Sequence, residues 1–584
     1  MFDAKEVAEI QSLLLRCSSL EDRQSIKLYQ ILKEVLTRVC WIALDEKTYS
    51  SFSLSEQLTF LYNQYQIPLA LQKGIHQFRL TCFEVLNKEK KFVLTDEESL
   101  PKRDVNVLTE LFSWITDKDE SKELKKVDSI IETFGLPSKI KRLRVIFHSK
   151  EANYLYVEPI DYVCLELQRV KIDEDSPFIE SCDLLWGGAQ LNLLFVTVDP
   201  MAGFLSPELI VVEPDYLIDI STLAECYKPY GAHPLNYILN KLTPISNAIP
   251  LLLGNIVNLF LDEWVYSEEA PDYIDCMMKA FRMYPLELAA CKDLQNLAKE
   301  REFAHNCKMH FEHIGSLLQN EFVDDAYRLD RNDAVLEPSY ISESLGLQGR
   351  LDYMQRDHSA LIEMKSGRAD EFTLRNKHEI LPYENHRIQM LLYLAVLQML
   401  KDDGETTQAY LLYTKYPKLY PSLPSWGAIK RAINLRNQIV ACEYSIHRKN
   451  DIEFTQKVFE KIQPFTLCTL QVNERFWKQY LLPPLETFTK NIKQLSILER
   501  KYFFRLYNFI TKELYLSKSG ELDFSRIYGA AALWLSPFQE KVDRGEILYD
   551  LKMLSNHAAE ARKAFVELAR PHRESSEVES LPNF

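Results

Sequence analysis

The sequence has little glycine and no long apolar run. Glycine accounts for 16 of 584 residues, well under the usual share of about 7%, which disfavours glycine-rich and blade-repeat architectures and favours long helices. The longest apolar stretch, Ile249 to Leu261, is too short to cross a bilayer, which takes about 20 residues. We therefore interpret this stretch as a buried helix or a pair of strands, and we expect no membrane partner.

Two further absences bear on the cellular compartment. The first residues carry acidic side chains and lack a basic region followed by an apolar one, so no signal peptide is visible. The 11 cysteines are dispersed along the chain, without a Cys-x-x-Cys pair or zinc-knuckle spacing. Dispersed cysteines in a large chain indicate reduced thiols, so we expect a cytoplasmic protein.

A phosphate-binding loop of the pattern GxxxxGK[ST] is also absent, which excludes a P-loop motor on this chain. Acidic residues outnumber basic ones, 84 against 69, and the formal net charge is −15. This balance excludes a protein that coats nucleic acid through bulk positive charge. A nucleic-acid function would therefore need a local site.

Hydrophobic periodicity divides the chain into segments. The predicted segments are a helical region at 1–135, a β-rich and then helical region at 136–284, an α/β core at 285–445, a helical region at 446–570 and a polar tail or linker at 571–584. The core combines a β-rich stretch with a long apolar helix at about 384–400. We therefore expect a mixed α/β fold, with a large N-terminal region and a helical C-terminal region that frame the core.

One window of the core, GLQGRLDYMQRDHSALIEMKSG at 346–367, carries a chemical pattern. Its glycines begin a strand that delivers Asp352, and a polar turn leads to a second strand in which alternation places Glu363 and Lys365 on one face. Two converging carboxylates repel each other unless a cation lies between them, and hard oxygen ligands suit Mg²⁺ or Mn²⁺. A lysine beside the metal can stabilise charge on a phosphate. The pattern predicts metal-assisted phosphodiester hydrolysis.

The spacing of Asp352, Glu363 and Lys365 resembles that of the PD-(D/E)XK nuclease superfamily. The later run HRIQMLLYL contains Gln389 and Tyr393 one helical turn apart, which is similar to the QxxxY motif of the RecB-like branch. The run as a whole most resembles the nuclease domains of replication ATP-dependent helicase/nucleases, without their helicase part.

The resemblance implies a restriction-endonuclease-like core and a Mg²⁺- or Mn²⁺-dependent deoxyribonuclease that cuts single-stranded DNA, flaps or unwound ends. Such enzymes act in DNA repair, replication or phage defence. The resemblance further implies that Asp352, Glu363 and the backbone carbonyl of Met364 hold the metal, and that Lys365 assists the attack on the phosphodiester.

The same resemblance suggests residues that meet the DNA or support the site. Gln389 and Tyr393 would contact the DNA strand or brace the catalytic groups, although ordinary packing is the alternative for both. Arg387 and Arg368 would form a narrow basic groove beside Lys365. For Arg387, a solvated helix start is the alternative.

RecB-like enzymes also use a metal-binding histidine on a helix upstream of the aspartate. The segment LAKEREFAHNCKMHFEHIGSLL offers His305, His310 and His313, but it lacks the family's GxxxH pattern. We favour His313 as the metal ligand, with His305 second. An ordinary surface histidine is the alternative for each.

Some relatives carry an iron–sulfur cluster built from one cysteine before the core and a tight trio after it. Downstream of Tyr393 this chain has only Cys442 and Cys468, so we expect no cluster. Because the chain resembles the front half of a nuclease–helicase, we expect a helicase partner or a missing helicase domain. A non-catalytic or conditionally active scaffold of a helicase-containing complex is the alternative function, and an RNase is a third.

The segment ILERKYFFRLYNFITKELYLSK at 497–518 combines aromatic and basic side chains, which could stack on single-stranded nucleic acid and neutralise it. At helical spacing, however, Tyr502, Leu506, Phe509 and Ile510 favour a core stripe, and we predict burial for them. The segment is also similar to the connector between nuclease and helicase modules in bacterial relatives.

Overall fold

The computed structural model describes most of the chain. The described residues are 4–18, 25–44, parts of 57–82, 100–116, 136, 138–160, 167–199, 203–244, 248–322, 327–374 except 328, 377–400, 407–520 except 417, 529–536, parts of 541–549, 551–556 and 566–569. They belong to two compact units, Met1–Ile131 with Leu516–Phe584, and Glu132–Tyr515. The predicted limits at 284 and 445 both fall inside the second unit. The predicted tail at 571–584 lies outside the described residues.

Helices form the N-terminal part of the first unit, as predicted. They are α1 (Ala4–Ser18), α2 (Ser25–Ala43) and α3 (Leu100–Thr116). Apolar residues recur every three or four positions on their buried faces, as Leu28, Leu32, Val35 and Val39 do in α2.

The second unit begins with a small β-barrel, which confirms the prediction of strands in this region. Its strands are β1 (Lys139–Glu151), β2 (Tyr154–Pro159), β3 (Gln168–Lys171), β4 (Gln190–Asp199) and β5 (Phe204–Ser206), and β6 (Leu209–Val212) extends it. β1 pairs with both β2 and β4, so the order β1-β2-β3-β5-β4 closes back on β1. The β3–β5 pair is parallel, and the others are antiparallel. Leu155, Val157 and Val170 point into the barrel.

Helices follow the barrel, as predicted, with short strands between them. The short helix α4 (Ile179–Cys182) lies between β3 and β4 in the chain. The elements that follow the barrel are β7 (Ile218–Asp219), α5 (Ile220–Ala224), β8 (Tyr227–Lys228), β9 (Gly231–Ala232), α6 (Leu235–Leu242), α7 (Ile249–Tyr266), α8 (Tyr273–Met283), α9 (Pro285–Ala290), a 3₁₀ turn (Lys292–Gln295) and α10 (Leu297–Asn320). The apolar stretch at 249–261 is therefore a helix and not a pair of strands. Among the described helices, none is long and apolar enough to cross a membrane.

The predicted β-rich core is a sheet in the order β10-β13-β14-β17-β18. Its strands are β10 (Ala334–Leu336), β13 (Tyr353–Gln355), β14 (Ala360–Lys365), β17 (Gln408–Tyr413) and β18 (Leu419–Pro421). A 3₁₀ turn (Arg331–Asp333) precedes this sheet, and β11 (Ser339–Ser342) and β12 (Leu347–Arg350) form a separate sheet with β7. The hairpin of β15 (Asp370–Leu374) and β16 (Lys377–Leu381) was not predicted.

The predicted long helix of the core is α11 (Glu384–Leu400), which connects β14 to β17. These two strands are parallel, so the helix is the crossover between them. The two faces of β14 belong to different hydrophobic cores: Leu361 packs in the core that includes α11, and Ile362 and Met364 in the core that includes α7 and α10. The chain is thus a mixed α/β protein, and its sheet is covered by helices.

Helices complete the second unit. They are α12 (Trp426–Lys449), α13 (Ile452–Glu460), α14 (Pro464–Leu467), α15 (Glu474–Phe476), a π-helical turn (Trp477–Leu481), α16 (Leu482–Gln494) and α17 (Ile497–Ser519). A buried arginine, Arg436 of α12, donates to the backbone carbonyls of Val212, Glu213, Tyr216 and Gly346, and so fixes two turns to this helix.

The prediction of a core stripe on α17 is wrong. Tyr502, Leu506, Phe509 and Ile510 are 69%, 41%, 58% and 53% exposed. The buried stripe is formed by other residues of the helix, Phe504, Tyr507, Thr511 and Tyr515. Since large apolar residues lie on both sides of this helix, their spacing does not distinguish the two faces.

The predicted helical region at 446–570 also contains a pair of strands. After α18 (Ala532–Leu535), the first unit contains an antiparallel hairpin of β19 (Lys552–Asn556) and β20 (Val566–Ala569). Strands of four or five residues are too short to give a clear periodicity.

Candidate active site

Asp352 lies between β12 and β13, at the point where the chain passes from one sheet to the other. Its Oδ2 accepts a hydrogen bond of 2.6 Å from the backbone N–H of Met364, which fixes the carboxylate beside β14. Burial raises the pKa of Asp352, and the positive charge of Lys365 opposes that rise. The structure thus brings Asp352 to β14, which carries Glu363 and Lys365.

Glu363 has two carboxylate oxygens in different surroundings. Its Oε1 accepts hydrogen bonds from Lys365 Nζ at 2.8 Å and from Gln389 Nε2 at 2.6 Å, whereas its Oε2 is buried and has no hydrogen-bond partner. The side chain is only 4% exposed. Burial, and then the negative charge of Asp352, raise the pKa of Glu363 to about 8. Oε2 is therefore an acceptor that needs a cation or a proton.

Lys365 connects Glu363 to the helix α11. Its Nζ donates to Glu363 Oε1 and, at 2.9 Å, to Gln389 Oε1. Burial alone would lower the pKa of Lys365, but the carboxylates of Glu363 and Asp352 raise it above its ordinary value. The ammonium group therefore stays charged at neutral pH, with its side chain 22% exposed.

Three polar side chains lie along one face of α11, at spacings of three and four residues. Gln389 is the middle one and bridges Lys365 and Glu363. Tyr393 Oη donates to the carbonyl of Arg350 at 2.6 Å, at the end of the strand that leads to Asp352. A Cβ atom added to Gly349 would lie 2.9 Å from Tyr393 Oη, so glycine is needed for this close approach. Gln389 and Tyr393 thus brace the site.

His386 is the third polar residue of this face. Its Nδ1 lies 2.8 Å from the hydroxyl of Tyr413, which is directly opposite Lys365 in the strand register. The hydroxyl of Tyr413 also accepts a hydrogen bond from the backbone N–H of Tyr383. When His386 Nδ1 accepts from this hydroxyl, the neutral imidazole carries its proton on Nε2. Burial, with the charge of Lys365, lowers the pKa of His386 to about 4, so the ring is neutral.

The upstream histidines lie elsewhere. His313 Nδ1 is 3.0 Å from the carbonyl of Thr414, His310 is buried, and His305 is exposed. Among the described residues, no group of three or more His, Cys, Asp or Glu side chains is placed to hold a metal ion. The structure therefore does not bring His313 or His305 together with the carboxylates. The helix lies beside the sheet, and its His310 and His313 lie near Thr414, which follows β17.

The two arginines of the predicted basic groove have different surroundings. Arg387 makes a bidentate pair with Glu384, with distances of 2.9 and 2.8 Å. Arg368 lies in the exposed turn after β14. Since Lys365 and Arg387 both have acidic partners, the positive charge of this groove is largely balanced within the chain.

The sequence did not lead us to predict that the helix α7 lines the site. Gly254, Asn258 and Asp262 recur every four residues in this largely apolar helix and are half-buried. A Cβ atom on Gly254 would lie 3.5 Å from the hydroxyl of Ser366, next to Lys365. Burial, and then nearby acids including Asp352, raise the pKa of Asp262 to about 7. The available signal was Asn258 and Asp262, two polar residues one turn apart in a largely apolar helix.

The donor set of the site fits a hard divalent cation. Asp352, Glu363 and the carbonyl of Met364 are oxygen donors, and such donors suit Mg²⁺ or Mn²⁺. The unpaired Glu363 Oε2 is the observation that favours a cation here. Two side chains and one backbone carbonyl leave room for water, which Mg²⁺ usually retains.

Comparison with known proteins adds no name to this site. No protein-family model and no curated protein matches the chain. The function is therefore inferred from the chemistry of the site.

Proposed function

We propose that this protein is a Mg²⁺- or Mn²⁺-dependent nuclease that hydrolyses phosphodiester bonds in DNA. The observation that carries the proposal is the arrangement around Glu363: one oxygen is held by Lys365 and Gln389, and the other is buried without a donor. The order of Asp352, Glu363 and Lys365, followed by Gln389 and Tyr393 on the next helix, supports a PD-(D/E)XK core of the RecB-like branch.

Each residue of the site has a distinct task in the proposed reaction. Asp352, Glu363 and the Met364 carbonyl would hold the ion. Bound Mg²⁺ or Mn²⁺ supplies a water of lowered pKa and neutralises charge that builds up on the phosphate. Lys365 remains charged and donates to the attacking oxygen or to a phosphate oxygen. Gln389 fixes the side chains of Lys365 and Glu363 relative to each other.

The resemblance also directs the choice of substrate and partner. RecB-like enzymes act on single strands, flaps or unwound ends, and we propose the same class of substrate here. Because this chain has no P-loop, strand separation would come from a helicase partner or from a helicase domain outside this sequence. A cytoplasmic role in DNA repair, replication or phage defence is consistent with this assignment.

Incubation with labelled substrates tests the proposal. The full chain is mixed with single-stranded, duplex and flap DNA and with RNA, in the presence of Mg²⁺, Mn²⁺ or EDTA. We expect metal-dependent cleavage of DNA, and a fall in rate of roughly a hundredfold or more in Asp352→Asn and Lys365→Met. Glu486→Gln and Lys490→Met, both exposed on α16, are the matched controls and should cleave at the wild-type rate.

Three results would redirect the assignment. Equal cleavage by wild type and both site variants would show that a contaminant or another site is responsible. A wild-type chain that binds DNA and cuts nothing, even with a helicase present, would favour the scaffold function. Preferential cleavage of RNA would favour the RNase.

A further inference from the structure

The barrel of β1–β5 carries aromatic rings and cations on its outer surface. Tyr154 and Tyr156 on β2, Arg169 and Lys171 on β3, and Phe204 on β5 alternate with residues that point inward. In the strand register Tyr154 is opposite Lys171, and Tyr156 is opposite Arg169. These five side chains, here called the barrel patch, therefore lie on one face.

The rings and cations of the barrel patch are interleaved. The ring centroids of Tyr154 and Phe204 are 6.5 Å apart. The guanidinium carbon of Arg169 lies 5.9 Å from the Tyr154 centroid, and Lys171 Nζ lies 5.5 Å from the Phe204 centroid. Gly203, at φ +67°, allows the β4–β5 turn to approach Arg169, since a Cβ atom there would lie 3.0 Å from its Nη2. The rings and cations of the barrel patch thus lie in a defined arrangement.

The strand order places this patch where one class of barrel binds its ligands. A five-stranded barrel with the order β1-β2-β3-β5-β4-β1 has the topology of an OB fold, whose strand 2–3 face binds oligonucleotides or oligosaccharides. Topology alone does not establish a function, so the chemistry of the patch has to decide. Aromatic faces beside cations suit unpaired bases and the phosphates that join them.

The barrel patch places two cations close together on a chain whose formal net charge is −15. In the strand register two acidic residues adjoin the patch, Glu151 opposite Tyr154 and Asp199 opposite Phe204. Lys171 pairs with Asp173 at 3.1 Å, but both side chains are well exposed, at 43% and 66%. Such a surface pair is weak and is readily exchanged for a phosphate. The barrel core does not need the patch, because its interior is filled by Leu155, Val170 and other apolar residues.

We propose that the barrel patch is a binding site for single-stranded nucleic acid, separate from the catalytic residues. Bases stack on Tyr154 and Phe204, and Arg169 and Lys171 contact the phosphates between them. This site holds a strand on the protein whether or not the metal site is occupied. It lies in the same compact unit as the proposed catalytic residues.

Binding in EDTA tests the site without interference from cleavage. Anisotropy of labelled oligo-dT, oligo-rU and a duplex of equal length is measured with the full chain. We expect the single strands to bind more tightly than the duplex. In Tyr154→Ala and Phe204→Ala, affinity for oligo-dT should fall about fivefold or more for each stacked base lost. Lys171→Gln should reduce the salt dependence of binding.

A second aromatic–cation pair provides the matched control. Lys449 Nζ lies 4.0 Å from the ring centroid of Phe454, outside the barrel, so Phe454→Ala with Lys449→Gln should bind like wild type. Ultraviolet crosslinking of an oligonucleotide that contains 5-iododeoxyuridine should label β2 or β5. Unchanged affinity in the barrel variants, an equal loss for duplex, or crosslinks only outside the barrel would each overturn the proposal. Because the assay contains no divalent metal, these outcomes are independent of whether the protein cleaves DNA.

Discussion

At the scale of single residues, the carboxylate of Glu363 links the proposed chemistry to the stability of the protein. Its pKa of about 8 in the folded chain lies well above the ordinary value of 4.5. Between these pH values the folded state holds a proton that the unfolded state has released. The free energy of unfolding must therefore fall as pH rises through this window.

Glu363→Gln should remove this pH dependence when divalent metals are absent. In EDTA, we expect the variant to become more stable than wild type as pH rises from 5 to 8, by at least about 1.4 kcal/mol, the value of one pKa unit. Below pH 4.5 both states of the wild type are protonated, so the difference should vanish. Urea unfolding across this pH range measures the effect, with the exposed Glu486→Gln as control. A difference in the free energy of unfolding that stays the same at every pH would contradict the raised pKa of Glu363.

A second residue-scale prediction concerns the neutral imidazole beside Lys365. In the tautomer in which His386 Nδ1 accepts from the hydroxyl of Tyr413, the imidazole carries its proton on Nε2. We expect His386→Phe to slow cleavage about tenfold or more if Nε2–H meets a phosphate, and His386→Gln to recover much of the rate because its amide can donate. Single-turnover kinetics on labelled DNA compares the variants with His305→Phe, an exposed histidine. Equal rates for all four proteins would assign His386 to packing alone.

The residues of the site differ in how far the sequence could place them. Alternation within a six-residue strand was enough to put Glu363 and Lys365 on one face, since the period of a strand is two residues. The position of His313 depended on how a distant helix is oriented against the sheet, and nothing local determines that. The polar face of α7 was missed because its apolar neighbours dominated the pattern.

At the scale of elements, Arg436 connects α12 to the turn after β6 and to the turn at Gly346. It is fully buried, and a Cβ atom on Gly346 would lie 2.4 Å from its Nη2. Gly346 has a φ of +65°, so both its backbone conformation and the space around it exclude a side chain. One arginine therefore links the turn after β6, the turn that leads into β12, and the helix α12.

Arg436→Met should destabilise the protein by at least about 3 kcal/mol, because several buried carbonyl groups lose their donor at once. Urea unfolding measures the change in the free energy of unfolding. Arg431→Met, an exposed change on the same helix, serves as the control and should stay within about 0.5 kcal/mol of wild type. A small effect at Arg436 would mean that water replaces its hydrogen bonds.

Elements were predictable where their length and period were clear. The helix α11 and the strands around 352–365 follow from strong local patterns. The two faces of α17 could not be distinguished, because Tyr502 and Phe509 are as apolar as the buried Phe504 and Tyr507. The hairpin β15–β16 has no pattern of its own that separates it from a loop.

At the scale of the whole molecule, the acidic charge limits the strength expected of the proposed DNA binding. The formal net charge is −15, and Lys365 and Arg387 already have acidic partners. Since acidic residues outnumber basic ones, 84 against 69, bulk electrostatics contribute little to such binding.

We therefore expect a shallow salt dependence of single-strand binding. The logarithm of the affinity in EDTA should fall with the logarithm of salt concentration with a slope no steeper than about −3, which corresponds to roughly four phosphates. Anisotropy between about 50 and 200 mM salt measures the slope. A slope more than twice as steep would indicate an extended basic surface.

The helix α11 is also the connection between β14 and β17, and this affects how the site is assembled during folding. Two parallel strands pair only after the whole crossover between them has closed, so the pairing of Lys365 with Tyr413 is a non-local contact that is slow to form. The same crossover carries His386, Gln389 and Tyr393, which contact Tyr413, Glu363 and Arg350. Formation of this strand pair is therefore coupled to the assembly of the contacts around Glu363 and Lys365.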